Sequence, residues 1–480
     1  MNLKKMALLT DFYELTMMQG FFKQSIGFKQ CIFDFFYRSN PNGFGIFAGL
    51  EQLIIYLENL RFTKDDIEYL ATHNMFSQDF LDYLESFKFT GDIYAVPEGS
   101  VVFPGEPLVK VKANLMEAHI IEGALLNILN FQSLIATKAA RITNAAKNDK
   151  VLEFGLRRAQ GPDAALYGSR AAIIGGCAAT SNVAAGKAFG VPVTGTHAHS
   201  WIMSFPGEIE AFRAYANLYP NNMILLIDTY NSLKSGLENA LKVFDEFKPI
   251  GIYGVRLDSG DLAYLSKEAR KRLDEAGYKD ALIIASNDLD EELISQLKLQ
   301  KACINAWGVG TNLITGGAWS AFGGVYKLAA IEEDGKLMPK IKISESPEKI
   351  NNPCDKKIIR LYDKYTKKIK ADLICLNHET IDTSQDLTLF HPIQTWKKMK
   401  LKSGNFLAKE LLLEIFKKGK PVYQSPAVLE IQNYANQEKE SLWEEYKRLT
   451  FPQNFPVDLS LELYELKEKM IKCTYDKVHE

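Results

Sequence analysis

Two histidines and a threonine stand together in Gly195–Ser200, GTHAHS, just after the short apolar run Phe189–Val193 and ahead of the aromatic-rich Trp201–Phe205. A glycine followed by such residues reads as the polar end of a strand. In a parallel α/β barrel, the C-terminal edge of the strands is where chemistry is placed. Imidazole is a nucleophile near neutral pH, so a histidine at that edge can carry a phosphoryl group. The plainer alternative is a pair of histidines in a polar loop, and the motif alone does not separate the two.

Four further clusters supply what such a nucleophile needs. Asp228, in DTYNS, is the candidate to fix the tautomer of His199. In RLDSGD, Arg256 offers a planar fork for a carboxylate or phosphate, while Asp258 and Asp261 can face Mg²⁺ or ribose hydroxyls. The alternative there is a helix cap, with Asp258 or Ser259 capping a helix that starts near Leu262. GVGTN, followed by Gly316–Gly317, is a candidate phosphate cradle in which Gly308 and Gly310 expose backbone N–H groups and Thr311 adds a hydroxyl. In FGLRRAQG, Phe154 can stack on a flat ring and Arg157 and Arg158 can pair with an anion on it. Alternatively, these are a core phenylalanine and two solvated arginines. The conjunction of these roles carries more weight than any one of them.

The elements that must position these groups are apolar runs, each passing through a polar end into a helical segment. They are Val151–Phe154, Val191–Val193, Met223–Ile227, Ile250–Val255, Ala281–Ala285 and Ile304–Val309. Continuous apolar strands alternating with helices imply a parallel sheet buried on both faces, and their spacing suits a β/α barrel. An open doubly wound sheet is the alternative. No dinucleotide or P-loop fingerprint occurs in the required context.

Upstream, Gln30–Tyr37 reads as a strand, Gly45–Leu60 as a helix burying Leu50, Leu53, Ile54 and Leu57, Lys88–Val111 as short strands, and Ala118–Ala140 as a long helix. Downstream, Ile358–Thr366 and Ile369–Asn377 read as a hairpin, and Asn405–Tyr423 and Asn433–Leu449 as helices. The expected organisation is an α+β N-terminal domain over 1–138, a β/α barrel over 139–345 and a C-terminal extension over 346–480.

A chain of 480 residues accommodates two or three domains. The net charge of −2 gives no nucleic-acid footprint. Six cysteines without CxxC spacing signal neither zinc nor a disulfide framework. Asp11 and Glu14 interrupt the basic start, and no stretch is long and apolar enough to span a membrane, so a cytoplasmic protein is expected.

The ordered set TDFYELTMMQGF (Thr10–Phe21), FDFFYRSNPNGFGIFAGLE (Phe33–Glu51), EFGLRRAQGPDAA (Glu153–Ala165), GTHAHSW, RLDSGDL and GVGTNL resembles the nicotinate phosphoribosyltransferase family along most of the chain. The resemblance implies the type II phosphoribosyltransferase fold: an α/β architecture with an α+β N-terminal domain packed on an incomplete, TIM-like β/α barrel and a small C-terminal extension. It implies a homodimer with shared active sites. It also implies transfer of phosphoribose from phosphoribosyl pyrophosphate to nicotinate in NAD biosynthesis, with Mg²⁺ and coupled ATP hydrolysis.

Carried over by position, His199 matches the histidine that ATP phosphorylates, and His197 falls at a variable position. Asp228 matches the supporting carboxylate, and Asp258 the acid near ribose and metal. Thr196, Phe154, Arg157 and Arg256 match substrate-binding residues, as does Tyr13, which would come from the partner. Gly308, Gly310 and Thr311 match the loop holding the 5′-phosphate. Nicotinamide-using relatives carry an aspartate where this chain has Ser181; an aspartate accepts from an amide but repels a carboxylate. The rival readings are nicotinamide or quinolinate as acceptor, and a non-catalytic barrel sensing a sugar phosphate.

Overall fold

The computed structural model describes residues 6–38 and 43–479, with side chains through 476; Met1–Lys5 and Ser39–Asn42 of the Phe33–Glu51 motif lie outside the described residues. Contacts divide the chain into two compact units. One comprises 1–134, 321–426 and 433–480, and the other 135–320 with 427–432.

The second unit is built on a six-stranded sheet in which every pairing is parallel. Its strands are β1 (Lys150–Glu153), β2 (Ala179–Thr180), β3 (Asn222–Leu226), β4 (Ile252–Leu257), β5 (Leu282–Ser286) and β6 (Ala306–Val309), in the spatial order β2-β1-β6-β5-β4-β3. The last strand lies beside the first and the order never reverses. That is the winding of a barrel; a doubly wound sheet reverses at a switch point. Val191–Val193, expected as a strand, makes a single parallel bridge beyond β2, between Thr180 and Val193. The barrel is therefore open between this segment and β3.

The strands form because both of their faces are covered. In β3, Met223, Ile224, Leu225 and Leu226 are all buried, so the run is continuously apolar rather than alternating. The helix Leu237–Phe247 that follows β3 buries Leu237, Ala240, Val243 and Phe244 on one stripe. The helix Leu262–Glu275 is capped by Asp261, whose carboxylate accepts from the Tyr264 N–H at 3.0 Å. The cap is thus neither Asp258 nor Ser259, and it occupies Oδ1 of Asp261.

The first unit holds a seven-stranded antiparallel sheet containing Gln30–Tyr37 and a six-stranded sheet containing the expected hairpin, Lys356–Asp363 with Ile369–Leu376. The stretch Asn405–Tyr423 is not helical. It forms the strands Phe406–Glu410, Leu413–Lys417 and Lys420–Pro421. Phe406–Glu410 pairs with Lys356–Asp363, and Leu413–Lys417 with Asp92–Ala95, so sheet partners override the helical propensity of its leucines and lysines. Lys418 and Gly419 both have positive φ, the two-residue turn that joins twisted antiparallel strands.

The helix Phe12–Lys23 opens on a buried carboxylate. Glu14 accepts from Thr10 and from the Asp11 N–H, while its other oxygen meets no donor among the described residues. Burial, with the nearby charges of Glu122 and Asp11, outweighs the Thr10 hydrogen bond and pushes the Glu14 carboxyl up to about 7. Its folded value lies above the unfolded one, so the stabilisation is complete below the unfolded value and is lost as pH rises through about 7. Glu14→Gln should therefore flatten the fall in stability between pH 5 and 8 by about 2 kcal/mol, read from urea midpoints at the two pH values. An unchanged slope would show that Glu14 does not titrate in this range.

Candidate active site

The C-terminal ends of the parallel strands bring together residues far apart in sequence. His199 begins the short helix His199–Met203, and its Nε2 lies 3.3 Å from Asp228 Oδ1, just past β3. The imidazole is 42% exposed while the Asp228 carboxylate is 1% exposed, so the ring can be reached but its partner is enclosed. Asp228 Oδ2 accepts from the Asp258 N–H at 3.1 Å and the Ser259 hydroxyl at 2.6 Å. One carboxylate thus ties the end of β3 to the loop after β4. Because Asp228 engages Nε2, the lone pair at Nδ1 is left as the nucleophilic position.

Arg256, near the end of β4, donates through Nε to Ser286 Oγ at 3.0 Å. It also donates to Thr196 Oγ1 at 2.6 Å, the His197 carbonyl at 3.3 Å and Asp258 Oδ1 at 3.1 Å. Ser286 in turn donates to Asp258 Oδ1. Burial pushes the Asp258 carboxyl up, but Ser286 and Arg256 outweigh it and the net shift is downward, so Asp258 is ionised at neutral pH. Its Oδ2 accepts no hydrogen bond among the described residues. Those residues contain no group of three or more His, Cys, Asp or Glu that could cage an ion. Asp258 is thus an ionised carboxylate with one oxygen open, the kind of donor a divalent cation takes.

Phe154 follows β1, and its ring lies directly over Gly308. A Cβ at Gly308 would come within 2.7 Å of the ring carbons. Gly310 precedes the four-residue helix Thr311–Ile314. Phe154 is held at this level by its N–H, which donates to the Val309 carbonyl at 2.8 Å. The neighbouring Glu153 is buried and accepts from Gly155 N–H, Ser169 Oγ and Thr180 Oγ1, so its charge is turned into the protein. Ser181 is half-buried and hangs from the Glu153 carbonyl by its N–H at 2.9 Å. Arg157 lies exposed in the turn Leu156–Arg158 and does not join the network. Tyr13 is exposed on the first unit's helix Phe12–Lys23.

Sequence reasoning missed Ser286 and Ser259, which hold Asp258 and Asp228. It also missed a cavity of about 400 Å³ in the first unit, whose lining includes Arg38, Lys327, Lys356, Lys397 and Lys467 with Asp34, Glu348 and Asp458, Lys356 being paired with Asp34. The excess of cations suits an anionic ligand.

A barrel that gathers a histidine–carboxylate pair, an arginine held by four hydrogen bonds, an ionised aspartate and an aromatic platform at one rim defines a β/α enzyme acting on anionic substrates. Family models place it further. The nicotinate phosphoribosyltransferase N-terminal domain matches residues 8–130, the nicotinate phosphoribosyltransferase family 150–369 and its C-terminal domain 355–467. Nicotinate phosphoribosyltransferase of Bacillus subtilis is 47% identical over 99% of this chain and 97% of its own. The crystal structure of human nicotinic acid phosphoribosyltransferase superposes with a TM-score of 0.83 at 29% identity, covering 96% of this chain and 99% of that one. A nicotinate-nucleotide pyrophosphorylase from Pyrococcus furiosus, 23% identical with a TM-score of 0.71 over 92% of this chain and 96% of its own, shares the fold. The chain belongs to the nicotinate phosphoribosyltransferase family, enzymes of NAD biosynthesis, and has the expected fold.

Two substitutions test how this site is held. Ser286→Ala removes a donor to Asp258 and an acceptor from Arg256. It should lower kcat/KM for phosphoribosyl pyrophosphate on the order of tenfold, a hydrogen bond to charge being worth about 1.5–3 kcal/mol. Unchanged kinetics would show that the two charges hold each other without the serine. Gly308→Ala should displace the Phe154 ring and raise the KM for nicotinate more than that for phosphoribosyl pyrophosphate. The reverse order would assign Gly308 to the phosphate instead.

Proposed function

We propose that the chain transfers phosphoribose from phosphoribosyl pyrophosphate to nicotinate, coupled to ATP hydrolysis through phosphorylated His199. The observation that carries this reading is the His199–Asp228 pair, with Nε2 engaged and Nδ1 left free at an accessible rim. Nδ1 attacks the γ-phosphorus of ATP, the bond to ADP breaks, and Asp228 stabilises the charge gained by the ring. Water later takes the phosphoryl group to give phosphate and restores the imidazole.

In the transfer itself, the nicotinate ring nitrogen bonds to C1′ as the bond to pyrophosphate breaks. Phe154 orients the ring, and Tyr13 of a second copy would cover its other face in a homodimer. Arg256 and Thr196 meet the acceptor's carboxylate, with Arg157 beside them. Gly308, Gly310 and Thr311 hold the 5′-phosphate. Mg²⁺, when bound, neutralises the departing pyrophosphate, and Asp258 is the residue that would hold it. Ser181 supports the acid over the amide as acceptor, because the carboxylate of Glu153 next to it is sequestered by three donors. Three family models agree with a division into three parts and with a first boundary between 130 and 150, while the middle model runs past 345 to 369 and the contacts group 321–426 and 433–480 with 1–134. A cytoplasmic location agrees with the finding that no described helix is long and apolar enough to cross a membrane.

Pyrophosphate release from phosphoribosyl pyrophosphate and Mg²⁺ should depend on nicotinate rather than nicotinamide and should rise with ATP. His199→Ala should abolish the rise while retaining slow transfer. Equal stimulation by ATP in mutant and wild type would refute the phosphohistidine, and release with nicotinamide alone would refute the role of Ser181.

A further inference from the structure

His197 is buried, with 7% of its surface exposed, although it lies two residues from the accessible His199. Its ring meets Tyr215 edge to face at 4.7 Å and lies near Phe212. Burial, with Arg256 and His199 nearby, outweighs the backbone of Ala198 and holds its imidazole down at about 4, so the ring is neutral at physiological pH. Its Nε2 accepts a hydrogen bond from the Leu226 N–H at 3.3 Å.

That partner lies at the barrel's opening. Leu226 ends β3, an edge strand of the sheet. The neighbouring N–H, of Ile227, donates to the Arg256 carbonyl on β4 at 3.1 Å. Successive N–H groups of a strand point to opposite sides, so the Leu226 N–H faces the open side, where no strand follows. On the far side of the gap, the segment ending in Thr194 is bonded to Thr180: the Thr180 N–H donates to Pro192 and the Thr194 N–H to the Thr180 carbonyl. Gly195, Thr196 and His197 cross between the two edges. The imidazole therefore stands where a strand's carbonyl would stand in a closed barrel.

We propose that His197 is the closing residue of this barrel and a positioning residue for the reaction. It bonds the loop of His199 to the strand of Asp228 and so fixes their separation. One residue, Ala198, separates His197 from His199, and one, Ile227, separates Leu226 from Asp228. The latch and the reacting pair are thus successive cross-links between the same two segments, and loss of the first loosens the second. The inference rests on the assignment of His199 as the phosphorylated residue.

The experiment compares wild type, His197→Leu and His197→Gln, because the glutamine carbonyl can still accept from Leu226. Each is assayed for phosphate transfer from γ-labelled ATP to protein, for nicotinate-dependent pyrophosphate release without ATP, and for hydrogen exchange over 222–228. His197→Leu should lose labelling on the order of tenfold, keep the KM for nicotinate within about twofold, and exchange the Leu226 amide faster, since small displacements of reacting groups are costly. His197→Gln should recover most of both losses. Nitrogen chemical shifts of histidine-labelled wild type should show His197 neutral with its proton on Nδ1. Labelling unchanged in His197→Leu, a glutamine variant no better than leucine, or a proton found on Nε2 would each overturn the proposal. A wild type that takes no label at His199 overturns the phosphohistidine reading instead, and the exchange and tautomer measurements still decide whether His197 closes the barrel.

Discussion

The Asp228 carboxylate is the point on which the rim depends. It is almost fully enclosed, and it meets His199 with one oxygen and the Asp258 N–H and Ser259 hydroxyl with the other. An enclosed carboxylate is tolerated only where such partners satisfy it. Two segments converge on the end of β3 to provide them: the loop after Thr194 and the end of β4. The parallel register that pairs Leu226 with Arg256 makes the convergence possible, because it sets the two strand ends at one level. A shift of one residue would turn Arg256 away from the rim and place a different N–H before Asp228.

Arg256 shows how the unliganded site is kept in order. Four of the five N–H groups of a guanidinium have partners here, on Thr196, His197, Ser286 and Asp258. A flexible side chain is thereby held in one geometry before substrate arrives, which lowers the cost of ordering it on binding. On the proposed reading, the acceptor's carboxylate would take the remaining donor or displace the Thr196 hydroxyl, for which a neutral amide is the weaker acceptor.

Much of this was legible in the sequence because buried parallel strands are continuous apolar runs and their polar ends stand out. Five of the six runs are strands, and His199, Asp228, Arg256 and Asp258 came together as those ends predicted. Val191–Val193 is only a bridge, because the barrel is open there and one neighbour is missing. Ser286 and Ser259 could not be picked out, since a serine at a strand end looks like any turn residue until its oxygen is placed between two charges. The choice among Asp258, Ser259 and Asp261 as helix cap depended on a one-turn difference that periodicity does not resolve. The stretch Asn405–Tyr423 was misread because its leucines suit a helix locally and only distant sheet partners make it strands. The Lys418–Gly419 turn was the signal within it that favours a hairpin.

The same geometry bears on how hydrolysis at one residue can influence transfer at another. A ligand or modification shifts an equilibrium only by as much as it interacts differently with the two states. On the proposed reading, phosphorylation would place negative charge on the accessible side of the His199 ring. Asp228 feels that change directly, and through its second oxygen it holds the backbone of Asp258, the residue placed to meet the metal and ribose. The path from His199 to Asp258 therefore contains one side chain and no intervening loop. Nor can Asp258 move alone, because Ser286 and Arg256 hold its Oδ1, so a shift at Asp228 must be shared with the arginine that faces the acceptor. If His199 is the phosphorylated residue, phosphoryl state and substrate affinity would be linked through Asp228 and Asp258, whose hydrogen bonds are already made, so that coupling would need only a redistribution of existing contacts.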